Sequence, residues 1–205
     1  MNDIELLFGD KADKININDY KFNESGDTLL KYNGKEMYPV IPNIKHIGNS
    51  CFLNNEYIAA AVIPICVETI GAEAFKGCHK LMSVNIADTV VSIGNNCFEN
   101  CVKLKKLRLS NSIKIIPEYC FYNCNIARVI LRSSIEEIRE YAFVNCNGIA
   151  VKFDRYSIKI ANTAFFGCMD MHASVFKGSD AEKYCTDHFI PYITTRRRKD
   201  ERTEL

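Results

Sequence analysis

Ten cysteines and four histidines are the residues of this 205-residue chain whose types can bind a metal, close a disulfide or attack a substrate. The histidines (His46, His79, His172 and His188) are scattered, with no nucleophile at a fixed interval from any of them. Cys97–Cys101 and Cys120–Cys124 are pairs four apart, but a metal site needs further His or Cys ligands converging on one point. Cys78, Cys101, Cys124, Cys146 and Cys168 recur at one interval. Cys51, Cys97 and Cys120 share a second position, which Ala74, Ala142 and Ala164 also occupy. A position that takes Cys or Ala alike is a small buried slot, where free Cys behaves as a small hydrophobe. Free packing thiols are therefore expected, with no metal and no cofactor. The chain has no G-x-S-x-G, H-E-x-x-H, P-loop or G-x-G-x-x-G segment, so a non-catalytic protein is expected.

The cysteine interval belongs to a larger repeat. Six related hexapeptides run from Ile47 to Phe52, Ile70 to Phe75, Ile93 to Phe98, Ile116 to Phe121, Ile138 to Phe143 and Ile160 to Phe165, with phenylalanines 22 or 23 residues apart. A fixed period of this length signals a solenoid, in which units too small to bury their own apolar face stack and share a core. Phe75, Phe98, Phe121 and Phe143 are expected to form one buried ladder. Within Leu81–Cys101, Val84 and Ile86 alternate with Asn85 as in a strand, and Val90 and Ile93 read as a second extended piece. Cys97, Phe98 and Cys101, at i, i+1 and i+4, read as one face of a short helical turn. Pro117 stands where other units have Gly48, Gly71 and Gly94. Proline fixes φ near about −65° and suits the first position of a helical turn, so these glycines are not expected at left-handed φ. The interval from the last strand residue to the Ile is constant, as from Ile63 to Ile70 and Phe153 to Ile160. Only the loops after Cys124 and Cys146 are one residue shorter.

The pattern L-x-x-V-x-I…V-x-x-I-G-x-x-A-F-x-x-C, running from about Tyr38 to Cys168, resembles the BspA-type leucine-rich repeat, and Val175–Tyr184 resembles the cap that closes such repeats. The resemblance implies an α/β solenoid: a right-handed leucine-rich repeat stack with a parallel β-sheet on the concave face, and a short strand and short helical turn per rung. It also implies a mostly bacterial family, many of whose members are surface or secreted proteins used in adhesion and protein binding. The expected organisation is an N-terminal flank and hairpin cap over 1–37, six rungs over 38–168, a C-terminal cap over 169–193 and a disordered tail over 194–205. In the flank, Leu29–Tyr38 reads as a hairpin about Asn33-Gly34, a dipeptide suited to a type I′ turn, with a further turn at Ser25–Asp27. Asn2–Leu7 reads as a short helix or as disorder. Beyond the rungs, Ser179–Cys185 reads as a capped helix and Phe189–Ile193 as a closing strand.

A formal net charge of +1 excludes the molecule as a whole as an electrostatic magnet for nucleic acid or membrane. No run approaches the roughly 20 apolar residues of a spanning helix. The opening Met1–Phe8 lacks the basic and apolar regions of a signal peptide, so a cytoplasmic location is expected for the chain as written, and a surface or secreted one for a trimmed chain. The strand residues that face away from the core are Val62, Asn85, Arg108, Ile130 and Lys152, flanked by Ala60, Ser83, Lys106, Arg128 and Ala150. Later rungs thus collect Lys106, Arg108, Arg128, Arg132 and Lys152, with Asp154 as the nearest acid, while early rungs present Val62, Ile65 and Met82. Acids at Glu68, Glu136, Glu137 and, on the turns, Glu73, Glu99, Glu118 and Glu140 predict a molecule of two electrostatic faces. The reading is a monomer binding a protein partner through Lys106, Arg108, Arg128, Arg132, Lys152, Val62 and Asn85. Two alternatives stand beside it: a self-associating, adhesion-type surface module, and polyanion binding through the basic rungs. The same cations would also serve simply to keep an exposed sheet from pairing with others. The run Arg196–Lys199 is followed at once by Asp200 and Glu201, so nucleic acid is not expected as a partner.

Overall fold

The structure, a computed structural model, describes residues 15–196. After a 3₁₀ turn (Ile17–Asp19), β1 (Tyr20–Phe22) and β2 (Thr28–Tyr32) pair antiparallel. The later pairings are parallel, and each rung gives a strand to both of two faces. The first face is a seven-stranded sheet in spatial order β4 (Ala60–Ile63), β6 (Ser83–Ile86), β8 (Lys106–Arg108), β10 (Arg128–Leu131), β12 (Ala150–Phe153), β14 (His172–Phe176) and β15 (Tyr192–Thr195). The second face is built of two-residue strands: β3 (His46–Ile47), β5 (Thr69–Ile70), β7 (Ser92–Ile93), β9 (Ile115–Ile116), β11 (Glu137–Ile138) and β13 (Lys159–Ile160). A helix, α1 (Asp180–Asp187), follows β14.

Strand alternation points Ala61 and Ile63, Val84 and Ile86, Val129 and Leu131, and Val151 and Phe153 inward, all buried. Between the two faces runs the phenylalanine ladder. It is longer than the four residues expected: Phe52, Phe75, Phe98, Phe121, Phe143 and Phe165 stack with centroids 4.6 to 5.4 Å apart and ring planes within 17°. Rungs repeat at about the 4.8 Å spacing of paired strands, so identical rings arrive at stacking distance without special adjustment. Tyr32 closes one end of the ladder against Phe52 at 5.2 Å, and Tyr184 of α1 closes the other, edge-on to Phe165 at 6.0 Å.

The segment from each Ile to each Cys is not the short helical turn expected. Ser50 and Asn54, Glu73 and Gly77, Asn96 and Asn100, Tyr119 and Asn123, and Tyr141 and Asn145 all have φ between 54° and 71°. A left-handed residue at every fourth position ends any right-handed helix. The corner is instead a pair of tight turns whose backbone groups are satisfied by the adjacent rung. Phe52 N–H donates to Ala74 O at 2.7 Å, and Phe75, Phe98, Phe121 and Phe143 N–H donate to Cys97, Cys120, Ala142 and Ala164 O at 2.8 Å. The second left-handed position is Asn or Gly in every rung, the residues that tolerate it most readily.

Gly71 and Gly94 are not left-handed, as expected; they serve close approach. A Cβ on Gly94 would lie 2.3 Å from Ala72 N, and one on Gly71 2.6 Å from Asn49 N. Their N–H groups tie adjacent rungs, to Ile47 O at 2.8 Å and Ile70 O at 2.9 Å. Pro117 has no N–H to continue the series. At that rung the second face divides into a five-stranded sheet, β1-β2-β3-β5-β7, and a three-stranded one, β9-β11-β13. The series resumes with Arg139 N–H to Ile116 O and Ala161 N–H to Ile138 O. On the other side of the same rung, β8 and β10 share a single registered pair, Lys106 with Arg128, where the rung period shortens by one residue.

The N-terminal hairpin turns at 23–27 and not at Asn33-Gly34. Asn23 Oδ1 accepts Thr28 N–H at 3.0 Å, its Nδ2 donates to Asp27 Oδ1 at 2.8 Å, and Gly26 has φ of 72°. Gly34 is needed because a Cβ there would overlap the Tyr32 ring. The N-terminal edge of the seven-stranded sheet is covered by the segment around Met37, whose carbonyl accepts Ala59 N–H at 2.7 Å and Ala60 N–H at 3.3 Å. Pro39 and Pro42 in that segment cannot extend a ladder. At the far end Ser179 Oγ caps α1 by accepting Glu182 N–H at 3.2 Å, and Asp180 Oδ2 accepts Ile158 N–H at 2.9 Å. β15 continues to Thr195, past the expected start of the tail at 194. The expected N-terminal helix and the residues from 197 onward lie outside the described residues.

Candidate functional site

On the outer face of the seven-stranded sheet, Ala60, Ser83, Lys106, Arg128, Ala150 and His172 form one row in continuous register. Beside it runs a second row, Val62–Asn85–Arg108 and then Ile130–Lys152–Ser174–Ile193. Val62, at 65% exposure, Asn85, Lys106, Arg108 and Arg128 are exposed, while Ile130 and Lys152 are half-buried. The sequence-derived assignment of these side chains to the open face is therefore what the registers show.

The charge on that face differs from expectation. Arg108 Nη2 donates to both carboxylate oxygens of Asp88 at 3.0 Å, and its Nη1 donates to Ile86 O at 2.6 Å. Asp88 also accepts Asn111 N–H at 2.9 Å; that bond first, and the guanidinium after it, hold its carboxyl below the usual carboxylate range. Asp88 escaped the sequence reading because it lies in the loop after β6, outside the strand alternation. Lys152 Nζ lies 2.6 Å and Arg132 Nη1 3.8 Å from Asp154. Three of the five basic candidates are thus engaged. Lys106 and Arg128 remain without an ion-pair partner among the described residues, although they are neighbours on adjacent strands. Like charges placed side by side in a sheet oppose its formation.

Two shallow hollows flank this pair. One, of about 500 Å³, is lined by Val62, Val84, Asn85 and Leu107 together with Lys106 and Arg128. The other, of about 350 Å³, is lined by Ala150, Val151, Ala173, Tyr192 and Ile193, and again reaches Arg128. The opposite side of the molecule is electrically quieter than the expected acidic face. Of its seven acids, Glu73 and Glu99 share Lys76 at 3.1 and 3.0 Å, Glu136 pairs with Lys114 at 3.6 Å, and Glu137 pairs with Lys159 at 2.7 Å and Arg139 at 3.5 Å.

The cysteines are free thiols. The S–H groups of Cys78, Cys101, Cys124 and Cys146 donate to the carbonyls of Phe52, Phe75, Phe98 and Phe121 at 3.1 Å, and Cys168 donates to Phe143 O at 2.9 Å. Each thiol therefore stitches a rung to the one before it, a role that alanine at the same position could not fill. Burial pushes Cys78 and Cys124 up to about 12, far from the range of a reactive thiolate. Among the described residues no group of three or more His, Cys, Asp or Glu is placed to hold a metal ion. No helix among them is long and apolar enough to cross a membrane.

A family model described as the BspA type leucine rich repeat region matches residues 45–172 in six copies. The chain belongs to that family. Among solved structures, this BspA-type repeat protein is similar to a leucine-rich repeat protein of T. pallidum, at 22% identity and a TM-score of 0.68 over 86% of this chain and 94% of that one. It is also similar to a leucine-rich cell surface protein of Faecalibacterium prausnitzii, at 27% identity and a TM-score of 0.56 over 80% of this chain. The pneumococcal vaccine antigen PcpA shares 15% identity and a TM-score of 0.60 over 87% of this chain. The chain spans under half the length of the last two, 39% and 46%. No curated protein matches it. These similarities agree with a solenoid of stacked parallel strands.

Proposed function

We propose that this BspA-type repeat protein is a non-catalytic scaffold that binds a protein partner on the open face of its seven-stranded sheet. The observation that carries this reading is the juxtaposition of Lys106 and Arg128, two cations in register without an ion-pair partner among the described residues, whereas Arg108, Arg132 and Lys152 each have an acid beside them. A repulsive pair retained at the centre of an exposed sheet is accounted for by a partner that neutralises it. The named relative from Faecalibacterium prausnitzii is a cell surface protein, which agrees with an adhesive or receptor-like role. The test places a photo-crosslinking residue at Asn85, on the open face, or at Glu136, on the opposite face, and irradiates each protein in extracts and surface fractions of the source cells. A discrete protein adduct from Asn85 alone supports the reading. Adducts from Glu136 alone refute it.

One feature favours self-association as a second reading. Among the described residues β15 is an edge strand that no other strand covers, with Ile193 66% exposed and Phe189 nearby 94% exposed, whereas the opposite edge is blocked by the proline-bearing segment. A dimer in light scattering that becomes monomeric with Thr194→Pro would support it.

A further inference from the structure

We infer that the partner presents an extended segment in which a carboxylate is flanked, two residues to either side, by apolar side chains. The segment lies across the strands with its acid on Lys106 and Arg128. This rests on the open face being the binding face. The strands that line the first hollow run from β4 to β10, and those of the second from β10 to β15. Their middles fall between β6 and β8 and between β12 and β14, so three strand spacings separate them, about 14 Å at roughly 4.8 Å each. An extended chain rises about 3.3 Å per residue and points residues i, i+2 and i+4 to the same side. Two apolar side chains four residues apart therefore span about 13 Å, close to the separation of the hollows. The residue between them falls about 7 Å from the first, over β10, which carries Arg128 with Lys106 beside it on β8.

The charge arrangement selects the middle residue. Arg108 is neutralised by Asp88 and Lys152 by Asp154, so an incoming carboxylate is drawn to the adjacent Lys106 and Arg128, with Lys105 lining the same hollow. There it accepts from two cations at once and removes their mutual repulsion. A charge-assisted contact of this kind, partly shielded from water by the apolar residues on either side, is worth about tenfold or more in affinity.

The probe is a displayed library of random twelve-residue peptides selected on the purified protein, followed by synthetic peptides from the enriched set. The expected enrichment is apolar-x-acid-x-apolar. Changing the peptide's Asp to Asn, or the protein by Arg128→Gln or Lys106→Gln, should raise the Kd about tenfold, with circular dichroism unchanged and the protein variants melting no lower than the parent. Enriched peptides that lack an acid, yet are lost with Val62→Asp or Ile193→Asp, would overturn the inference while leaving the open face as the binding face. Peptides indifferent to every one of these variants would overturn both. Failure to enrich any peptide also overturns the inference, and retention on heparin that falls steeply with salt would then assign the cations to a polyanion.

Discussion

Removing one ring from the phenylalanine ladder probes the stack at its centre. Phe98 is fully buried and lies between Phe75, at 5.3 Å and 9°, and Phe121, at 5.4 Å and 1°. Phe98→Ala removes a whole ring from a site that resists collapse, because the rung spacing on both sides of it is held by hydrogen bonds of the seven-stranded sheet and of the corner. The expected loss is about 3–5 kcal/mol, a large share of the roughly 5–15 kcal/mol that holds a domain of this kind together. Phe98→Leu keeps most of the volume and should cost less, about 1–2 kcal/mol. Combined with Phe75→Leu, it should show a coupling of about 0.5–1.5 kcal/mol, the part due to ring stacking itself. Urea unfolding followed by circular dichroism measures all of these. Hydrogen exchange adds a local test: Phe98 N–H, bonded to Cys120 O at 2.8 Å, should lose protection together with the same bonds of adjacent rungs, since each unit is stabilised by its neighbours. An Ala variant that unfolds within about 1 kcal/mol of the parent, or a coupling of zero, would refute the account of the core.

Four further outcomes follow from the geometry. Gly94→Ala should destabilise by about 1–3 kcal/mol in urea unfolding, since its Cβ meets backbone at 2.3 Å, whereas Ala161→Gly at the matching position of a later rung should cost no more than about 1 kcal/mol. Native thiol titration should label the half-buried Cys66 and Cys168 first and the eight buried cysteines only on unfolding. The ladder thiols also predict alkaline instability: a folded pKa above the unfolded one leaves stability intact below about pH 9, and stability then falls as pH rises toward the folded values of about 12, because only the unfolded chain gives up the proton. A flat melting temperature from pH 8 to 10.5 would contradict this. Asp88→Asn should loosen the loop at Asn111 and release Arg108 for solvent. Peptide selection on that variant should recover ligands with an additional acid, and an unchanged selection would show that Arg108 is inert.

The repeat was legible because the periodic residues are the core itself: Ile, Phe and Cys at fixed intervals can sit only on a shared interior, and strand alternation then assigns Val62, Asn85 and Lys152 outward without further information. The corner was misread because i, i+1, i+4 burial is produced equally well by one helical turn and by two tight turns. The discriminating signal was the column Asn54, Gly77, Asn100, Asn123, Asn145 and Gly167, a run of residues that accept left-handed φ. Local turn chemistry predicts a hairpin at Asn33-Gly34, but Gly34 is held by its packing against Tyr32, a contact no dipeptide rule contains. On the open face strand alternation shows which side chains point outward, but not which of their charges are neutralised. Asp88 neutralises Arg108 from a loop whose position depends on how one rung settles on the next.

The same geometry decides how the protein bears force. Bonds between parallel strands lie across the strands, and here they lie along the long axis of the stack. Tension applied to the two ends therefore loads the rungs in series, and extension is limited by the junction with fewest bonds. That junction is adjacent to Pro117, where one face loses its ladder between β7 and β9, and one rung farther on β8 holds β10 by a single registered pair. Pulled from both ends, the molecule yields first around the β8–β9 rung, and it parts into two stacks that each keep a closed end.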